Sequence, residues 1–516
     1  MKAIYFIIAF VLFFLVCCKT VSVTREIKMV QEITTISKSH KYIKAHMKDG
    51  TVYVLYNWYF DMATNSLNGF GSLLDINRNI IISNENIRSK AITNKEPFNI
   101  CISDISLLET NEPGPSIAGG LTVVTGVTAA FTIYCITNPK ACFGSCPTFF
   151  AFDDDTLTMQ AEGFSSSIFP SLEKNDIDML YTAKVTKDFE LIVTNEALET
   201  HSIRYANLLV FEKQSNERVF ASPEGIFYRT SGLIQPTRCQ NNENECLSKV
   251  IEVDGDELFS LADPDNLASK EEIVVTFSVD KDEKVGLVVG KRQTLLTTFL
   301  MYQGLAYMGK SATYWMAEFE RGKIAYSESI FELLGGIEVF SKDTYGDYKL
   351  EGVLNETGPI ATDFNIIPLA NSQHGNVELK LRLNKGLWRI DYLGLVTISE
   401  KVIPTLIQPF QVETIAGAET DPLSKLINVN DYLVTYPGDA YRIKYNIPYE
   451  NAELFLDSKG YYLEWIRDEW VKEQNFKKLN LMVSRPAQYL KDIAPTFKRL
   501  EPLMEESFWN SKYVKK

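Results

Sequence analysis

The chain has 516 residues and a formal net charge of −14. That length exceeds one ordinary core, and a hydrophobic content of 45% excludes a disordered polymer, so roughly two to four domains are expected. The acidity comes with no run of clustered Lys and Arg, which argues against a phosphate-tracking groove and so against nucleic acid as a partner.

The first residues read MKAIYFIIAFVLFFLVCCKT. Lys2 is a short positive lead, and Ala3 to Val16 is an apolar run too short for a comfortable membrane span. Leu15-Val16-Cys17-Cys18 resembles the lipobox of bacterial lipoproteins. The resemblance implies a signal peptide over 1–17, lipidation of Cys18 with acyl chains such as palmitate, and an anchor in the cell envelope. No Asp follows Cys18, which in such lipoproteins favours the outer membrane and leaves open which face is occupied. The alternative is an uncut membrane anchor. With Cys17 removed and Cys18 lipidated, Cys101, Cys135, Cys142, Cys146, Cys239 and Cys246 remain as disulfide candidates in an oxidising compartment. The local pairs Cys142–Cys146 and Cys239–Cys246 are expected first.

Residues 18–111 read as a small β module. GTVYVLYNWYF and LNGFGSLLDINRN form a strand pair around DMATNS, and FNICISDISLLETN adds a strand. Within 112–140, Ser116 to Thr137 is apolar and uncharged, and as a helix it could span a bilayer. A span would leave Cys142, Cys146, Cys239 and Cys246 in a reducing cytosol. Glu109 and Glu112 before the segment and Lys140 after it point the other way. Its Thr and Gly content favours a buried helix or strand pair over a span.

Residues 141–290 read as one β-rich domain. CPTFFAF is a strand, DDDT a turn and LTMQAEGF the return. DFELIVTNE, ANLLVFEKQ, RVFASPEGIFYR, EEIVVTFSVD and VGLVVG continue it. Over 291–336, Leu295, Leu296, Phe299, Leu300 and Leu305 fall near helical spacing, with Gly304 and Gly309 marking a break and Gly335 a stop. Residues 337–466 carry short strands at regular spacing and read as a C-terminal β-sandwich. Its strongest signal is the period-two stripe Val377, Leu379, Leu381, Leu383. Residues 467–516 form a mixed-charge helical tail. The expected fold class is mainly β with a central helical insert, α+β overall, built from sandwich or jelly-roll-like modules.

The C-x3-C of Cys142 and Cys146 has one more intervening residue than a thioredoxin-like pair and lacks its βαβ context. Cys239 and Cys246 are spaced unlike a zinc ribbon. A disulfide staple before a strand is the favoured reading. Asp153-Asp154-Asp155 and the group Asp254, Asp256, Asp263, Asp265 lack the glycine and distant Glu of a calcium loop, and read as solvated turns. His40, His46, His201 and His374 form no H-E-x-x-H or H-x-H pattern, and neither a nucleophile elbow nor a Walker loop is present. No catalytic residue, metal site or cofactor is therefore expected. Trp388, Tyr392, Tyr461, Tyr462, Trp465 and Trp470 could stack on sugars, although such residues more often fill a sandwich core. Carboxylates beside aromatics in DYLGLVTISE and YYLEWIRDEW leave a glycosidase open, because two facing carboxylates have no local signature.

The run NPKACFGSCPTFFAFDDDTLTMQAEGF, with LIVTNEALETH, GYYLEW and KGLWRIDYLGL, resembles a module of bacterial envelope lipoproteins to which no activity is assigned. In that group an apolar segment precedes a Ser-Cys-Pro motif, an aromatic strand and an acidic turn. Here Asp153-Asp154-Asp155 stands where similar chains often carry Asp-Gly. The resemblance implies no catalytic residue. The expectation is a non-catalytic, lipid-anchored envelope protein that presents a β-sandwich to a glycan or an envelope protein. The alternatives are an envelope polysaccharide hydrolase and a redox protein using Cys142 and Cys146.

Overall fold

The computed structural model describes residues 23–28, 33–34, 36–37, 40, 42–47, 51–74, 80–84, 96–113, 146–153, 156–165, 167, 173–197, 199–242, 244–312, 330–355, 358–464 and 472–509. The expected signal peptide over 1–17, Cys17, Cys18, Cys135, Cys142, the segment Ser116 to Thr137, Trp465 and Trp470 lie outside them. The protein is mainly β, with several antiparallel sheets and few helices. Among the described residues no helix is long and apolar enough to cross a membrane.

The chain divides into two units. Unit 1 holds Met1–Cys142, Met301–Ala325 and Glu464–Asn480. Its strands are β1 (Val23–Lys28), β2 (Tyr42–Met47), β3 (Val52–Asp61), β4 (Ser66–Leu74), β5 (Ile80–Ser83), β6 (Phe98–Cys101) and β7 (Ile105–Pro113). They form one sheet in the order β1-β7-β2-β3-β4-β5, with β6 also on β4. The expected hairpin around DMATNS is present. Asp61 closes it by accepting the Ala63 amide at 2.9 Å and the Thr64 hydroxyl at 2.8 Å, and Asn65 takes φ +49°. One face buries Ile43, Ala45, Leu55, Trp58, Leu67, Ile105 and Leu108 with Ile33 and Ile36.

Unit 2 holds Phe143–Leu300, Tyr326–Leu463 and Leu481–Lys516. Its strands open with β8 (Thr148–Asp153), β9 (Thr156–Glu162), β10 (Lys174–Met179), β11 (Asp188–Thr194), β12 (Glu199–Glu212), β13 (Glu217–Ala221), β14 (Phe227–Ile234) and β15 (Arg238–Asn241). They continue with β16 (Asn244–Glu245), β17 (Leu258–Phe259), β18 (Lys270–Glu283), β19 (Val285–Gln293), β20 (Ile337–Lys342), β21 (Tyr348–Leu354) and β22 (Asp363–Pro368). The last are β23 (Gln373–Asn384), β24 (Trp388–Val402), β25 (Thr405–Ile407), β26 (Gln411–Ala416), β27 (Leu433–Thr435), β28 (Ala440–Asn446) and β29 (Ala452–Glu464).

Four sheets result. The sheet β26-β28-β11-β8-β9 faces the sheet β10-β29-β12-β25, to which β27 is added on β12. Phe149, Leu191, Val193, Tyr441, Ile443 and Tyr445 of the first meet Ile203, Leu208, Val210, Leu454, Leu456 and Tyr462 of the second, which is a β-sandwich core. The second sheet is buried on its other face too. There Leu209, Phe211 and Phe455 pack with Phe227, Val288, Phe364, Ile366 and Val396. This is why ANLLVF and AELFL read as continuous apolar runs rather than alternating ones.

The third sheet runs β14-β13-β22-β19-β24-β17, and β14 pairs β24 as well, so five strands close into a ring. Side chains alternate small and large where β19 meets β24: Gly286 opposes Val396, Val288 opposes Gly394, and Gly290 opposes Tyr392. A Cβ on Gly290 would lie 2.6 Å from Phe364 Cε1, so the crowded ring leaves no room for one. The fourth sheet, β16-β15-β18-β23-β20-β21, buries the expected stripe Val377, Leu379, Leu381 and Leu383. Cys239 and Cys246 form the expected disulfide across the β15–β16 hairpin, with Cα atoms 5.1 Å apart.

The expected linear division into 141–290 and 337–466 is corrected. Pairs such as β10 with β29, β11 with β28, β18 with β23 and β19 with β24 draw on both stretches, and unit 2 contains both. Strand periodicity shows that a segment pairs and which face is buried, but it does not name the partner. The helical stretches follow expectation only in part, since the first of them runs unbroken through Gly304. Leu296–Met308 ends at Gly309, which takes φ +51°, and Ile330–Leu334 ends at Gly335, at φ +64° with its amide donating to the Phe331 carbonyl. The tail forms helices Phe476–Ser484 and Pro486–Trp509.

Candidate functional site

The sandwich of unit 2 has two long sides. On one, β9 and β10 run as neighbouring edges. On the other, the consecutive strands β25 and β26 are the outermost strands of the two facing sheets. Pro404 and Pro409 flank β25, where the missing amides remove no ladder bond a central strand would need. β26 is held from one side only. Glu413 accepts Lys444 Nζ at 2.6 Å and Arg442 at 3.3 Å across the β26–β28 pair, and the lysine first, then the arginine, holds the Glu413 carboxyl below its ordinary value. The two edge strands and the residues flanking them expose apolar groups to water. Ile403 is 92% exposed, Leu406 53%, Ile415 50% and Phe410 45%. Unpaired strand edges lined by apolar side chains are unusual on a protein surface, and such edges accept an added strand.

The aromatic residues singled out for sugar stacking are elsewhere. Trp388, Tyr392, Tyr461 and Tyr462 are all buried, so the sugar-platform reading of these four is corrected in favour of core packing. They are wide enough to bridge sheets, and Tyr462 donates to the Ser165 carbonyl at 3.1 Å. The rings that do lie on the outer face of the fourth sheet are covered. Lys380 stands 4.2 Å from the Tyr348 ring centre and Arg382 5.6 Å from that of Phe340.

Cys146 is a free thiol, and Cys142, its expected partner, lies outside the described residues. Cys146 is buried and its sulfur donates to the Ser165 carbonyl at 3.7 Å. Burial first, then the Glu162 and Glu199 carboxylates, push this thiol well above its ordinary value, the opposite of an activated nucleophile. Cys101 is free and exposed. His46 meets Glu109 at 3.2 Å and His201 meets Glu199 at 3.0 Å, both pairs buried, and His374 is exposed. Asp254 and Asp263 accept backbone amides two residues on, at 2.9 Å each, as turn residues do. Among the described residues no group of His, Cys, Asp and Glu could hold a metal ion. Of the carboxylates beside aromatics, Asp391 accepts the Gly255 amide at 3.1 Å and Glu464 accepts the Tyr302 hydroxyl.

Two clusters escaped the sequence reading. Arg292 and Arg389 share Glu257 and Glu505, and Arg389 lies 4.0 Å over the Phe259 ring, beside a small pocket of about 20 Å³. Lys291, Asp363, Asn365 and Asp178 form a second, buried group. In both, the partners are distant in sequence, so no spacing could have found them.

No family model matches the chain, and no curated protein matches it. Among solved structures, a secreted serine protease from Vibrio cholerae, VesC, aligns at 8% identity over 73% of this chain and 99% of its own, with a TM-score of 0.15. Dimeric latent PorU from Porphyromonas gingivalis aligns at 8% identity over 88% of this chain and 34% of its own, with a TM-score of 0.14. Superposition at that level bears on neither fold nor activity.

Proposed function

We propose that this is a non-catalytic, lipid-anchored protein of the bacterial cell envelope whose sandwich receives an extended segment of another envelope protein along β25 and β26. The observation that carries the reading is the exposed apolar edge formed by Ile403, Leu406, Phe410 and Ile415. A protein partner is preferred to a glycan because Trp388, Tyr392, Tyr461 and Tyr462 are buried and the Tyr348 and Phe340 rings lie under Lys380 and Arg382. Two buried acid–base pairs support the same reading, since His46 is engaged with Glu109 and His201 with Glu199 inside the protein. The anchor rests on Leu15 to Cys18.

The test is site-specific photo-crosslinking in cells. A photoreactive phenylalanine analogue is placed at Phe410, at Ile415 or, as a control on another sheet, at Tyr345, which is 91% exposed. The expected outcome is a discrete light-dependent adduct at 410 and 415, absent at 345, on protein that partitions with membranes and whose mass begins at an acylated Cys18. Equal adducts at all three positions, or none, would overturn the docking reading. An unacylated protein in the aqueous fraction would overturn the anchor.

A further inference from the structure

Lys291 lies on β19 with no exposed surface. A lysine is rarely taken so completely out of water unless something holds its amine. β19 bulges between Gly290 and Lys291, so Lys291 pairs with Ile390 of β24 where an even register would bring Asp391. Bulges re-aim side chains, and across the other pairing Lys291 stands opposite Asp363 of β22 and diagonal to Asn365. Nζ lies 2.6 Å from Asn365 Oδ1 and 3.2 Å from Asp363 Oδ2. Asp178 of β10 faces the same group and is 7% exposed. Asp178 Oδ2 and Asp363 Oδ1 have no hydrogen-bond partner among the described residues.

We propose that Lys291 and Asn365 join as an intramolecular isopeptide bond that ties β19 to β22 within the closed ring, with Asp363 carrying the proton. The ammonium of Lys291 passes one proton to the Asp363 carboxylate. Burial makes charge separation costlier than in bulk water. The freed lone pair adds to Cγ of Asn365, and the carbonyl pair moves onto Oδ1. Collapse breaks the Cγ–Nδ2 bond, and Nδ2, with its own two hydrogens, leaves as ammonium by taking the proton held by Asp363 and the one released by the new amide nitrogen. One ammonium and one carboxamide become one secondary amide and one ammonium ion, and no oxidant or co-reactant enters. Asn365 is the acceptor because a carboxamide is a better electrophile than the Asp363 carboxylate. Fixing the amine against the amide oxygen supplies the proximity that free side chains in water lack. Burial first, then Asp176, Asp363 and Glu162, push Asp178 well above the usual carboxylate range, with Lys291 pulling the other way. Asp178, on a strand packed against β22, is thus biased toward its uncharged form.

The experiment is tryptic peptide mapping of the denatured full-length protein. Cleavage after Lys291 is expected to be lost. The peptides containing residues 291 and 365 are expected to appear as one branched species, lighter than their sum by one ammonia, about 17 Da. Linear peptides at full mass would overturn the proposal. A loss of about 18 Da would place the bond on Asp363 instead and overturn the assignment to Asn365. Lys291→Arg, which keeps the charge but forms no such amide, is expected to yield linear peptides only. Asp363→Ala is expected to do the same, and a branched species persisting in it would remove Asp363 from the chemistry.

Discussion

Asp457 on β29 is half-buried beside Tyr205. Burial pushes its carboxyl up to about 6, against the opposing pull of Lys459 and of the Tyr205 hydrogen bond. A carboxyl whose folded pKa lies above its unfolded value favours folding only while protonated. Its contribution is fully present below about pH 4 and is lost as pH rises through about 6. Asp457→Asn removes this loss. The expected result is a higher Tm than wild type at about pH 8, little difference at about pH 4, and a shallower slope between. Equal slopes in the two proteins would show that the folded protein does not raise this pKa. Nothing around Asp457 in the sequence, LFLDSKG, announces the effect, because its cause is the depth at which β29 lies between β10 and β12.

The helix Pro486–Trp509 was legible as an element, and its buried residues Leu490, Ile493, Phe497, Leu500, Met504 and Phe508 keep helical spacing. What it packs on was not legible. Phe497 meets Phe299 with ring centres 5.2 Å apart, Glu501 accepts the Ala262 amide at 2.6 Å, and Glu505 bridges Arg292 and Arg389. Phe497→Ala is expected to destabilise unit 2 by about 3–5 kcal/mol, measured by urea unfolding followed through tryptophan fluorescence. A loss under about 1 kcal/mol would mean that the helix is not docked as seen. The strands show the same division. β23 was clear because only one of its faces is buried, so its apolar stripe alternates with Glu378, Lys380 and Arg382. β12 and β29 lost that alternation because both of their faces are covered.

At the scale of the whole molecule, each unit has its own sheet system and its own core. Two cores of unequal size are expected to give two calorimetric transitions, the smaller assigned to unit 1 by its loss in a Leu55→Ala variant, in which the larger transition keeps its temperature. One transition that shifts as a whole would show a single cooperative unit. Several expectations concern chain outside the described residues, Cys18 and Ser116 to Thr137 among them, and the candidate edge draws no support from them.

The sequence alone determined the class of the protein and most of its strands. Alternation, turn residues such as Asp61 and Gly335, and the Cys239–Cys246 spacing act over a few residues, and that is the range over which a sequence is read. Tertiary structure decided which strands pair. It placed Trp388 and Tyr462 inside and Phe410 outside, left Cys146 unbridged, and brought Lys291, on β19, to Asn365, on β22. Those outcomes depend on which surfaces compete for burial across hundreds of residues. Sheet pairing satisfies backbone groups whatever the partner, so the choice is made by the packing of whole faces rather than by any local pattern.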